Sequence, residues 1–217
     1  MPVTSWGRTR IVRTPLAIAL FGLLTPFGGC AQVSPLVTAE AISGIVVETA
    51  TGRPVENSVA VVRFVRFNAG HQGVHCFRSM AIKTDAAGRF RFSRWRQENT
   101  QADSAVGLIT AYKARFSVPQ SVRVDSSSGA ASRDTIAIPA ATVRLTLERA
   151  TGSEEDRIQE LGRLVGNFAC RLRAQSDDKS LLLSVRDEIA SYPLAQQRPK
   201  GWGFTALEWI DRIIKDD

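Results

Sequence analysis

Two patterns divide the chain. Between residues 42 and 148, short apolar runs rich in Val, Ile, Phe and Thr are separated by clusters of Gly, Pro, Asp and Ser; from 153 to 215 apolar residues recur at three- and four-residue spacing. The first pattern predicts a small β-sandwich, the second a helical tail. Ile42–Glu48 reads as a strand that ends at Thr51-Gly52-Arg53-Pro54, where Gly52 admits a positive φ and Pro54 cannot continue a central ladder. Val59–Phe67 is the longest strand, with apolar residues on both parities, so both of its faces are expected to be covered over part of its length. Arg89-Phe90-Arg91-Phe92 places two rings on one face and two guanidinium groups on the other. Its expected partner is the segment 78–84, joined through Asp85-Ala86-Ala87-Gly88. Segments 106–112, 134–138 and 142–147 complete seven strands, the last with Val143, Leu145 and Leu147 facing the core and Arg144 and Thr146 facing out. Residues 125–134 are too small and polar to pack and read as an exposed loop.

In the tail, Ser153 is positioned to cap a helix whose first turn carries Glu154, Glu155 and Asp156 at the positive end of the dipole. Ile158, Leu161, Val165, Phe168 and Leu172 form one apolar face. Gly162, Gly166 and Cys170 form a strip of small residues on another side, with Ala169 beside it. Each interior Gly costs about 1 kcal/mol relative to Ala, so the strip predicts close approach of another backbone. Asp177-Asp178 opens a second helix, packed through Leu181, Leu182, Val185 and Ile189 and stopped by Pro193. Gly201-Trp202-Gly203-Phe204 is a hinge into a last helix with Leu207, Trp209, Ile210, Ile213 and Ile214. That helix is apolar on more than one face, which fits docking on the sandwich or a partner surface, and docking is the expectation.

The N-terminus is of another kind. Arg8, Arg10 and Arg13 precede the apolar run 16–24, no acid occurs before Glu40, and Pro26 and Gly28-Gly29 interrupt the run. This is the pattern of a secretory signal, and the run is too short for a spanning helix. Phe27-Gly28-Gly29-Cys30 resembles the lipobox of bacterial lipoproteins, with Phe27 where a Leu-like residue is usual; Gly29-Cys30-Ala31 also fits ordinary signal cleavage. The lipobox resemblance implies lipidation of Cys30. Ala31 and Gln32 lack the Asp that holds enteric lipoproteins at the inner membrane, so it also implies outer-membrane anchoring that faces the periplasm. Cleavage after Ala31 would instead leave a soluble periplasmic protein. The expected organisation is a signal peptide over 1–29, a tether over 30–40, a sandwich over 41–149 and a helical region over 150–217. Of 28 basic residues three leave with the signal while all 21 acids stay, and 25 minus 21 is +4. That balance, with arginines scattered among apolar residues, does not form a nucleic-acid footprint.

The stretch "ISGIVVETATGRPVENSVAVVRF", followed at a distance by "KTDAAGRFRFSRW", resembles the carboxypeptidase regulatory-like domain, a transthyretin-like Greek-key β-sandwich. The matching features are a G-x-V-V strand, a T-G-x-P-V turn and a T-D-x-x-G-x-F-x-F hairpin, over roughly residues 41 to 149. The resemblance implies a non-catalytic accessory or interaction module. Transthyretin-like architecture is shared in outline by intradiol dioxygenases, which hold iron with two Tyr and two His. This chain has Tyr112, Tyr192, His71 and His75, without the family's ligand spacing. Hydroxyisourate hydrolases end in Y-R-G-S, where this chain ends Ile214-Lys215-Asp216-Asp217. No G-x-S-x-G or C-x-x-C occurs. No catalytic residue and no cofactor is therefore assigned, and the chain is read as not an enzyme.

Once Cys30 is lipidated or removed, Cys76 and Cys170 remain, an even count in an oxidising compartment. A disulfide between them is expected. The alternative is a periplasmic metal-binding or redox protein using His71, His75 and Cys76, since imidazole and thiolate suit zinc or copper. Gly70 and Gly73 put that cluster in a loop, and no carboxylate lies between Asn68 and Lys83. Arg63, Arg66, Arg94, Trp95 and Arg96 are the candidate binding surface for an envelope protein or glycan partner. Trp95 also fits a strand-end anchor beneath arginine stems.

Overall fold

The computed structural model describes residues 36–67, 74–98, 104–126, 135–168, 179–196 and 206–215. Among them ten strands precede three α-helices: β1 (Leu36–Ala39), β2 (Ile42–Glu48), β3 (Val59–Phe67), β4 (Val74–Lys83), β5 (Arg89–Phe92), β6 (Trp95–Glu98), β7 (Ser104–Tyr112), β8 (Val122–Asp125), β9 (Thr135–Ile138), β10 (Ala141–Leu147), α1 (Glu154–Phe168), α2 (Lys179–Ala190) and α3 (Ala206–Lys215). A 3-10 turn, Pro193–Gln196, follows α2. All of these belong to one compact unit, Val33–Asp217. No helix among the described residues is long and apolar enough to cross a membrane. The signal (1–29), Cys30, the loop residues 127–134, Cys170, Asp177-Asp178 and the hinge at 201–204 lie outside the described residues.

One layer is the sheet β4-β3-β7-β8; the other consists of two three-stranded sheets, β6-β1-β9 and β10-β2-β5. These two are halves of a single ribbon. Ala39 pairs with Trp95 and Ile138, and Ile42 with Phe92 and Ala141, so one register runs through both halves. The break falls at the same level in all three strands, at Glu40-Ala41, Ser93-Arg94 and Pro139-Ala140. Inward residues in a strand are two apart, yet here Ala39 and Ile42, Phe92 and Trp95, and Ile138 and Ala141 all meet the core. Each strand thus gains one residue at that level, and Pro139 contributes by lacking an N–H. The extra residue shifts the pleat so that residues on both sides of the break face the core, as an isolated bulge does within a single strand.

The mainly-β sandwich with a helical tail agrees with the sequence reading, but the described residues hold ten strands where seven are predicted. The residues assigned to the end of the tether, 36–39, are a strand between β6 and β9, with Val37 and Ala39 in the core. A four-residue strand is stabilised by two neighbours remote in sequence, so local pattern does not reveal it. β6 carries a single buried residue, Trp95, and β8 is a four-residue edge. The second correction concerns the turn 85–88, which does not close a hairpin. β4 pairs with β3 and β5 with β2, so the turn is a corner between layers. Asp85 Oδ1 accepts from the Ala87 and Arg89 amides at 2.9 and 2.8 Å. Gly88 adopts φ 69°, and a Cβ there would stand 2.5 Å from the Val46 carbonyl oxygen. In the ribbon, a Cβ on Gly44 would collide with the Val143 carbonyl oxygen and stand 2.6 Å from the Phe90 ring. Gly44→Ala is therefore expected to destabilise by about 1–3 kcal/mol, read as a lower urea midpoint with an unchanged slope.

Phe64 meets Trp95 edge-on at 4.9 Å, and Phe90 and Phe92 fill the core beside Val46, Ile109 and Leu145. On the other face of β3 a second core forms. Val59, Val61 and Tyr112 meet Leu161, Leu164, Val165, Leu181, Leu182, Val185, Ile189 and Ile210 from the helices. The last helix docks there through Ile210, with Leu207, Ile213 and Ile214 partly buried and Trp209 37% exposed. Ser153 caps α1 as expected: its Oγ accepts from the Asp156 amide at 3.2 Å, and Asp156 accepts in return from the Ser153 amide and hydroxyl at 3.3 and 2.7 Å. Of the small-residue strip, Gly162 and Gly166 are among the described residues and Cys170 is not. No described atom lies within 4 Å of a Cβ on Gly162, and Gly166 faces the Trp209 ring at 3.6 Å, so no described backbone approaches either.

Candidate functional site: a buried carboxylate clamp and an arginine-faced sheet

The densest polar cluster among the described residues joins the sandwich to the helices. Glu188, on α2, sits between Tyr112 at the end of β7 and Arg157 on α1, and Arg157 and Glu188 have side chains 6% and 4% exposed. Glu188 Oε1 accepts from Arg157 Nε at 2.9 Å, Tyr192 Oη at 3.0 Å and the Arg115 amide at 3.2 Å. Its Oε2 accepts from Tyr112 Oη at 2.7 Å and from a second Arg157 nitrogen at 3.1 Å. Arg157 also donates to Glu160 at 2.6 Å, and Glu160 accepts from the Val118 amide at 2.7 Å. Arg115 holds a left-handed φ of 67°, which turns its amide toward the carboxylate while its carbonyl accepts from Ala150 at 2.9 Å.

Burial opposes ionisation of Glu188. Hydrogen bonds from Arg157 and Tyr112, the Arg157 charge and the Arg115 amide outweigh it and hold the carboxyl below its usual range. Burial, and the Glu188 carboxylate as acceptor, push the Tyr112 hydroxyl far up. Burial also opposes the Arg157 charge, but its bonds to Glu188 and Glu160 raise the guanidinium further. A carboxylate that already accepts five donors has no lone pair left for a substrate proton. Chemically this cluster is a clamp that fixes α1, α2 and the 113–118 loop to the end of β7.

The sequence alternatives come to different places. Tyr112 and Tyr192, weighed with two histidines as iron ligands, meet at Glu188 instead. His71 and Cys170 lie outside the described residues; His75 and Cys76 are in β4, opposite Arg66 and Val65, not in a loop. Cys76 is disulfide-bonded. Its partner, Cys30 or Cys170, is outside the described residues. A bonded sulfur is not a thiolate, so the set His71, His75 and Cys76 loses its strongest ligand. Among the described residues no group of three His, Cys, Asp or Glu is arranged to hold a metal ion.

The candidate surface Arg63, Arg66, Arg94, Trp95 and Arg96 divides. Trp95 is 8% exposed and packs on Phe64 inside the sandwich. Arg63 and Arg66 stand on β3 in the opposite layer, and burial lowers the Arg63 guanidinium. Arg94 and Arg96 are exposed on the ribbon. They are joined there by Arg89, Arg91 and Arg144, which sequence reading treated only as the solvent side of two strands. Strand pairing could not be read from the sequence, so their convergence was invisible. At the ribbon's break, Glu40, Ser43, Arg91 and Thr142 line an open depression of about 380 Å³.

No protein-family model and no curated protein matches the chain. Among solved structures it is similar to 3-chlorocatechol 1,2-dioxygenase from Rhodococcus opacus 1CP, at 12% identity and TM-score 0.32 over 54% of this chain and 61% of that one. It is similar to the full-length major pilin SpaD from Corynebacterium diphtheriae at 11% identity and TM-score 0.35, over 51% and 30% of the two chains. It is also similar to the Klebsiella pneumoniae 5-hydroxyisourate hydrolase at 15% identity and TM-score 0.27, over 52% and 95%. The match spans less than two thirds of the dioxygenase and of the pilin. The likeness is a distant one to β-sandwich domains.

Proposed function

We propose that the chain is an exported, lipid-anchored, non-enzymatic binding or structural module of the cell envelope, built on a sandwich of the carboxypeptidase regulatory-like kind. Acylated Cys30 anchors it in the outer membrane, facing the periplasm, and Cys76 is bridged to Cys170. The disulfide at Cys76 carries this reading, because such bonds persist in oxidising compartments and are rare in the cytosol. It agrees with the basic and apolar N-terminal pattern, and it removes the thiolate on which a metal or redox centre at His71, His75 and Cys76 depends. A bridge to Cys30 and acylation of Cys30 exclude each other, since both consume one sulfur.

The test is the intact mass of the full chain exported from a bacterium with its own signal, alkylated before and after reduction, with metal content read on the same sample. A chain that begins at Cys30, carries the mass of acyl groups and gains two alkyl groups only after reduction is the expected result. A polypeptide that begins after Ala31, or two free thiols with stoichiometric metal, would overturn the proposal.

A further inference from the structure

The outward face of the ribbon is basic, and its charges are placed by strand register. Ile45 pairs with Arg144 on one side and Arg89 on the other, so the two arginines flank it in a single row. In the next row Ser43 lies between Arg91 and Thr142, and beyond the break Thr38 lies opposite Arg96. Arg94 is exposed at the break itself. All five arginines are exposed, and no ion pair to any of them is formed among the described residues. Among the described residues of these strands and their break, the acids on this face are Glu40, at the break, and Glu98, opposite Leu36. Five arginines thus stand against two glutamates among the described residues. Arginines two apart along a strand are separated by about 6.8 Å, and Arg89 and Arg144, two strands apart, by about 9.6 Å. The result is an open array of forked donors suited to many separate anionic groups, and it does not enclose a single ligand.

Strand β1 decides which anion this is. It starts at Leu36, so only residues 31–35 separate Cys30 from the middle strand of this ribbon. Five residues span at most about 18 Å. An acyl chain on Cys30 therefore holds the arginine face close to the headgroups, where attraction to anionic lipid acts within a Debye length of about 10 Å. We propose that the face made by Arg89, Arg91, Arg94, Arg96 and Arg144 lies against the anionic lipid surface in which Cys30 is anchored. The lipid on Cys30 supplies the anchor, and a basic surface beside it adds an electrostatic contact that sets how the sandwich lies on the membrane. This inference rests on the export and lipidation reading, and the experiment separates the two by omitting the lipid.

The mature chain, residues 30–217 with Cys30→Ser, is floated with vesicles of phosphatidylcholine alone and with vesicles containing about 30 mol% phosphatidylglycerol. Salt-sensitive binding to the anionic vesicles only is expected. Each basic side chain near such a surface contributes roughly five-fold, so Arg91→Gln/Arg96→Gln/Arg144→Gln should lose about 100-fold. A control, Lys83→Gln/Arg163→Gln/Lys215→Gln, removes the same charge from exposed positions elsewhere and should lose several-fold at most. Equal loss in both variants would mean that net charge and not this face binds, and the proposal would fall. Failure of the unsubstituted chain to bind anionic vesicles would also end it, even if Cys30 is shown to be acylated. Binding to a soluble acidic polysaccharide without vesicle binding would assign the face to a different partner and overturn the lipid assignment.

Discussion

Replacing Arg157 with Met is expected to lower the free energy of unfolding by about 3–5 kcal/mol at neutral pH, because it leaves the Glu188 carboxylate buried without its cation. Domains of this size are stable by only about 5–15 kcal/mol, so urea denaturation should show a much earlier midpoint or an uncoupled helical tail. The effect should depend on pH in a defined direction. In the native protein the Glu188 carboxyl is held below its usual range. The stability it contributes is complete above the unfolded value of about 4.3 and is lost as pH falls through the lower folded value. With Arg157 absent, burial is opposed only by the two tyrosines and an amide, so the folded carboxyl rises and acid favours the native state of the variant. The gap between variant and parent should therefore narrow from pH 7 to about pH 4. A constant gap would mean that Arg157 acts through packing alone. Adding Glu188→Gln should recover part of the loss, since a neutral amide still accepts from Tyr112 and carries no buried charge.

Cys76→Ser is the second large effect expected, at about 2–5 kcal/mol, or an equivalent fall in Tm on adding reductant to the parent. The proposed partner, Cys170, follows the end of α1 at Phe168 by two residues. Its bridge would close a loop of 94 residues, from 76 to 170. Cys170→Ser should match Cys76→Ser in thermal unfolding, and the double variant should add nothing further. Cys30→Ser should leave Tm unchanged. If Cys30→Ser reproduced the loss and Cys170→Ser did not, the bridge would run to Cys30 and acylation there would be ruled out.

Local pattern was enough for the division into sandwich and helices, the bounds of β2, β3 and β5, the cap at Ser153 and the inward faces of α2 and β10. Each of these depends on periodicity or on hydrogen bonds within a few residues, which is the range that a local pattern records. That β4 and β5 lie in different layers, that 36–39 is a strand and that three strands break at one level emerges only from the packing of distant segments. Those features depend on pairings such as β5 with β2, 44 to 50 residues apart, and β1 with β6 and β9, 56 to 99 apart. The same is true of chemistry. Arg157 and Glu188 read as ordinary charged positions on two amphipathic helices, and only the packing of α1 and α2 against Tyr112 removes both from water. Four of the five ribbon arginines lie on three strands, with Arg94 at the break between β5 and β6, and antiparallel pairing of β5 and β6 with parallel pairing of β10 brings them to one face. A sequence shows which side of its own strand a residue takes; which strands are neighbours is decided by the core that they jointly bury.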